Sequence, residues 1–81
     1  MSIQNEIRKA ILAVLPEAEV KVTGSGGHFV LHVISSAFEE KRLLAKKRMV
    51  YRAIAHLMGG DEAPVHAIDK MICEAPKTTG P

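Results

Sequence analysis

The chain predicts an α+β domain in which helices cover one face of a three-stranded sheet. Three observations point there: helical spacing of apolar residues near the N-terminus and again from Leu43, alternation on either side of a glycine-rich turn, and a late apolar run set between two prolines. The order that results is helix, strand, strand, short helix, helix, strand.

Ser2 can cap a first helix in which Ile3, Ile7, Ala10, Ile11 and Val14 recur every three to four residues. Pro16 disfavours helical geometry at Leu15, so that helix should end there. Val20 and Val22, then Phe29, Leu31 and Val33, alternate as half-buried strands do. Residues 19–34 therefore predict a β-hairpin whose turn is Gly24-Ser25-Gly26-Gly27, with His28, Val30, His32 and Ile34 on the opposite face. Ser35-Ser36 breaks the second strand and can cap a short turn containing Phe38. From Leu43 to Met58 the pattern is helical, with Val50, Ala53, Ile54 and Leu57 as the core face and Leu43 one turn further back. Gly59-Gly60 stops this helix and residues 61–64 form a loop. Val65–Cys73, between Pro64 and Pro76, predicts the third strand, and residues 74–81 a loose tail. A single domain follows, spanning 1–81 with its core in about 3–73.

At 81 residues the chain is near the lower size at which one core holds without staples. Aromatic residues make up only 4% and Trp is absent, so the core must be aliphatic. One cysteine excludes an internal disulfide framework and fits a reducing compartment. No apolar run approaches bilayer length and MSIQNEIRKA lacks a signal-peptide layout, so the expectation is a cytoplasmic protein without a membrane partner. The net charge of +2 is too small to imply nucleic acid, which leaves the placement of the charges to decide.

Signatures of catalysis are missing: no phosphate-binding glycine motif ending in Lys-Ser/Thr, no nucleophile elbow, no paired zinc-ligand spacing. The chain is expected not to be an enzyme. GSGGH lies between two strands and so suits a hairpin better than a phosphate cradle. Two features are left. Lys41, Arg42, Lys46, Lys47, Arg48 and Arg52 form a basic run, of which Lys41, Arg48, Arg52 and His56 share one side of a helical wheel. Such a stripe can contact phosphates, each cation releasing about one counterion, or it can simply be a solvated helix face. No aromatic residues interleave with it, and Glu39 and Glu40 weaken its field. The second feature is histidine placement. His28 and His66 both stand at strand starts beside loops, where neutral imidazole is accessible to a metal, but two ligands cannot complete a four-coordinate site. Cys73, late in the last strand, reads as a small buried hydrophobe.

The segments Gly27-His28-Phe29, Ser36-Ala37-Phe38-Glu39, Arg48-Met49-Val50-Tyr51 and Val65-His66-Ala67, in this order and spacing, resemble the BolA family over about residues 3–72. The resemblance implies a fold similar to the type II K-homology domain, α-β-β-α-α-β with a mixed sheet. It also implies a monothiol glutaredoxin as partner, with a 2Fe–2S cluster shared across the heterodimer for cluster trafficking and iron homeostasis. By that likeness His66 and His28 supply the ligands from this side, while a glutaredoxin cysteine and glutathione hold the other iron. Imidazoles in place of thiolates reduce the negative charge at one iron and raise the potential, as in Rieske centres. The isolated chain would then be a monomer without a cofactor. Some members of the family are described as transcriptional regulators, which makes DNA the alternative partner and Lys41, Lys46, Lys47, Arg48 and Arg52 its contacts.

The sequence departs from the family at three places. Lys46-Lys47 replaces the usual Arg-His before Arg48, and no glycine-x-x-glycine loop lies between Phe38 and Leu43, which argues against standard single-strand RNA binding. Ala75-Pro76-Lys77-Thr78 stands where a Thr-Pro-x-x-Trp ending is common.

Overall fold

Helix α1 runs from Ile3 to Val14, started by the Ser2 hydroxyl, which accepts from the Asn5 amide at 3.1 Å. These are the coordinates of a computed structural model, which describes residues 2–60 and 62–76. Leu15 ends α1 as the following proline demands, and it closes the core face begun by Ile7 and Ile11. Val14, expected on that face, is instead 53% exposed. It lies three residues beyond Ile11, and the step of four to Leu15 follows the buried stripe more closely.

Strands β1 (Glu19–Ser25) and β2 (His28–Ile34) pair antiparallel, with Ser25 opposite His28. The turn is therefore only Gly26-Gly27, and Gly24 and Ser25 belong to the strand. Both turn residues have positive φ, 64° and 84°, the type I′ geometry that matches strand twist and that glycine adopts without strain. Val20, Val22, Phe29, Leu31 and Val33 point into the core, as their alternation requires.

After β2 a 3-10 turn, Ser36–Phe38, drives Phe38 into the core. Glu17 organises this turn: its carboxylate accepts from the Ser35 hydroxyl and from the Ser36 amide and hydroxyl, each of the latter at 3.0 Å. Helix α2 follows from Leu43 to Ile54, and the chain tightens into a 3-10 turn over Ala55–Leu57 rather than continuing as one α-helix to Met58. Val50, Ala53 and Ile54 are buried, but Leu43 is 58% exposed and Leu44 61%. The core stripe thus starts at Val50, about two turns beyond Leu43.

Strand β3 covers Ala67–Glu74, so Val65 and His66 precede it and Glu74 joins the sheet instead of the tail. Lys77–Pro81, the rest of the expected tail, lie outside the described residues. β3 pairs parallel with β2, giving a mixed sheet in the order β1-β2-β3. The crossover through α2 is what a parallel pair needs, since its strands cannot be joined by a tight turn.

The register skips Asp69: Phe29 pairs with Ile68, but Val30 pairs with Lys70. This bulge keeps Met71 and Cys73 beside Leu31 and Val33 on the core face; without it Lys70 would point inward. No helix among the described residues is long and apolar enough to cross a membrane.

Candidate metal-ligating site

Gly27 brings the two candidate ligands together. Its carbonyl accepts from the His66 amide at 2.8 Å and from the Ala67 amide at 3.0 Å, while His28, the next residue, pairs with Ala67 across the β2–β3 ladder. Residues 38 positions apart in sequence thus meet at one end of the sheet because a tight turn and a parallel strand share one carbonyl. The His66 ring lies where a Gly27 side chain would be: a Cβ built there overlaps Cδ2 of the imidazole and comes within 3.1 Å of Nε2. Glycine at 27 serves both the positive φ and the close approach of this ring.

Both imidazoles are exposed. The His28 Nδ1 lies 3.1 Å from Asp69 Oδ1, which leaves its Nε2 without a protein partner among the described residues. Asp69 escaped the reading of the sequence. Its signal was present, however, as the consecutive polar pair Asp69-Lys70 interrupting the alternation between Ile68 and Met71. His32, on the same strand, is engaged further along, with Nε2 3.2 Å from Glu74 Oε2.

Two imidazoles fit half of a shared centre and no more. Among the described residues no group of three or more His, Cys, Asp or Glu side chains is placed to hold a metal ion. Any metal held here needs ligands from elsewhere. Cys73 cannot help, because it is buried on the core face of β3. Burial pushes its thiol up from the ordinary value, against the opposing field of Lys47 and Lys46, so it stays protonated and inert.

The basic run divides into two groups. Lys41, Arg48 and Arg52, together with Arg42, line an open groove floored by Leu44, Ala45 and Met49. Lys46 and Lys47 are half-buried and turn toward β3, where Cys73 feels their charge. His56, placed with the stripe on a helical wheel, lines a second groove between α1 and α2 with Glu6 and Lys9, and Arg52 borders both grooves. The ion pairs among the described residues are His28–Asp69 and His32–Glu74, so none neutralises the groove's cations.

The family model for BolA-like proteins matches residues 3–76. A protein of Acinetobacter guillouiae, described as an uncharacterized protein in the rpoN-murA intergenic region, is 32% identical over 63 residues, 78% of this chain and 74% of that one. Among solved structures, a bol-like protein from Babesia bovis is similar with a TM-score of 0.75 at 31% identity, covering 94% of this chain and 87% of its own. A bolA protein homologue from Coxiella burnetii has a TM-score of 0.76 at 30% identity, with 94% of each chain covered.

Proposed function

Because the chain belongs to the BolA-like family, we propose that it is the non-enzymatic partner of a monothiol glutaredoxin and shares a 2Fe–2S cluster with it in iron–sulfur trafficking and iron homeostasis. One observation carries this reading: the Gly27 carbonyl ties the His66 and Ala67 amides to the residue before His28, so two exposed imidazoles stand at one end of the sheet. They are two ligands too few for an independent centre and the right number for one iron of a shared cluster. The glutaredoxin cysteine and glutathione supply the remaining thiolates. In this reading the chain is a cytoplasmic monomer without a cofactor when alone and forms a heterodimer when the cluster is present. When bound, the cluster supplies the electron and iron chemistry; this chain's residues bind it, orient their rings and set the charge at one iron.

The test mixes the protein with cluster-loaded monothiol glutaredoxin and glutathione and records visible absorption and circular dichroism. His66→Ala should abolish the spectrum of the mixed complex while the glutaredoxin's own cluster-bound homodimer persists. His28→Cys should keep a cluster at a lower potential, since a thiolate restores negative charge at that iron. His32→Ala should behave as wild type, its ring being engaged with Glu74 away from the turn. A folded His66→Ala protein with an unaltered mixed spectrum would reject the ligand assignment.

A second reading, a DNA-binding regulator, rests on a different observation. Lys41, Arg42, Arg48 and Arg52 converge on one groove and have no acidic partner among the described residues. Phosphates are the anions such an unpaired cationic groove suits, with affinity that falls steeply with salt. Lys46 and Lys47 lie aside from this groove and would add field rather than contacts.

A further inference from the structure

We propose that Asp69 is a positioning residue for His28, holding the ring with Nδ1–H toward its carboxylate so that Nε2 faces outward as the metal-ligating atom. The inference rests on the shared-cluster reading and adds to it a residue, an atom and a tautomer.

Geometry is the first support. His28 Nδ1 and Asp69 Oδ1 are 3.1 Å apart, within hydrogen-bond reach. A carboxylate can only accept, so in a neutral ring the proton of that bond sits on Nδ1 and the lone pair is left on Nε2. The bulge is the second support. Asp69 is the residue of β3 that the parallel register passes over, between Ile68 opposite Phe29 and Lys70 opposite Val30. An unpaired bulge residue is free to aim its side chain across to the neighbouring strand, and bulges commonly re-aim side chains beside functional sites.

Exposure separates orientation from stability. The His28 and Asp69 side chains are 59% and 56% exposed, so the pair adds little to folding. A surface pair of small energetic value still decides a tautomer, because the two neutral forms of imidazole differ little in free energy and one hydrogen bond selects between them. This is the carboxylate–histidine–metal arrangement in which the outer group sets ring orientation and ligand basicity. Among the described residues no carboxylate pairs with the ring of His66; its backbone is held by the bond to Gly27, and its ring lies close against that glycine. The two ligands are thus fixed by different means, one through a side chain and one through the main chain.

The experiment uses protein labelled with 15N in histidine and reads the His28 ring nitrogens by long-range proton–nitrogen correlation at about pH 8.5, above the ordinary imidazole range. The wild type should show His28 as the Nδ1–H form. Asp69→Ala should release it to a mixture dominated by Nε2–H, and Asp69→Asn should restore Nδ1–H, because the amide oxygen also accepts. In the reconstituted complex with monothiol glutaredoxin and glutathione, Asp69→Ala should weaken cluster retention roughly 10- to 100-fold and Asp69→Asn should recover most of it. Wild-type His28 in the Nε2–H form within a chain that does assemble the cluster overturns the role of Asp69 and leaves the shared-cluster reading standing. An Nδ1–H wild type that assembles no cluster overturns the shared-cluster reading and upholds the tautomer assignment. Unchanged retention in Asp69→Ala, with the tautomer released, overturns the positioning role.

Discussion

At the hairpin end of the sheet, His66 is held by its backbone bond to Gly27, and Gly27 itself sits in a two-residue turn between paired strands. Along α2, by contrast, Lys41, Arg42, Arg48 and Arg52 are placed only by the helix they stand on or lead into, and their side chains end in an open groove. In the first region a change of one backbone atom's surroundings moves a ring; in the second, a change of one side chain removes one charge and leaves the rest. Main-chain constraint gives a site that is brittle and geometrically defined. Helical display gives one that is graded and additive.

Gly27→Ala should have the greatest consequence, since it adds a side chain at φ 84° and into the His66 ring at once. The left-handed backbone alone costs about 1–2 kcal/mol, read as a lowered melting temperature, and the displaced ring should remove the spectrum of the mixed complex with glutaredoxin. Gly26→Ala separates the two effects: it has the same sign of φ, 64°, but a Cβ there meets nothing within 4 Å. It should lose similar stability and keep the spectrum. If both variants lose the spectrum equally, ring displacement is not the cause and the contrast between the regions fails.

On the helix, Arg48→Ala and Arg52→Ala should each weaken DNA affinity across sequences and flatten the salt slope by about one unit. Stability should change by no more than about 0.5 kcal/mol, as for exposed positions without partners. Unchanged affinity in both would free this groove for an acidic protein instead.

Glu17, far from the hairpin turn, should give the mildest effect. The Ser35 hydroxyl foremost, then its own backbone amide, and after these the Ser36 hydroxyl and Ala37 amide, hold its carboxyl below the ordinary value, against some desolvation. A folded-state value below the unfolded one means stability that is present above the ordinary carboxylate range and is lost as pH falls through the lowered value. Glu17→Gln should therefore melt below wild type at neutral pH, with the gap narrowing in acid. A gap of constant size from neutral to acid pH would show that the charge on Glu17 is not what organises the Ser36–Phe38 turn.

The elements were legible in the chain because they are written in local chemistry. Period two in Val20–Val22 and Phe29–Val33, helical spacing in Ile7 and Ile11, and Pro16 as a stop each depend on neighbours within a few residues. Local patterns were less able to say which of several apolar residues on a helix is covered. Val14 and Leu43 satisfy the spacing yet are more than half exposed: Val14 lies off the stripe that Leu15 completes, and Leu43 stands about two turns before the first buried residue of α2.

The same division holds for the candidate site. That His28 and His66 are accessible, beside loops, and matched in type to a metal could be read from residue order and from likeness to a family. Their meeting at one carbonyl could not, because a parallel ladder joins segments whose separation in sequence has no local trace. The partner for His28 was hidden more deeply. A polar pair at Asp69-Lys70 reads as a flaw in a strand, and only the register that brings Met71 and Cys73 back to the core makes Asp69 the extra residue beside the ring. Burial of the apolar side chains sets that register, and the polar group follows from it.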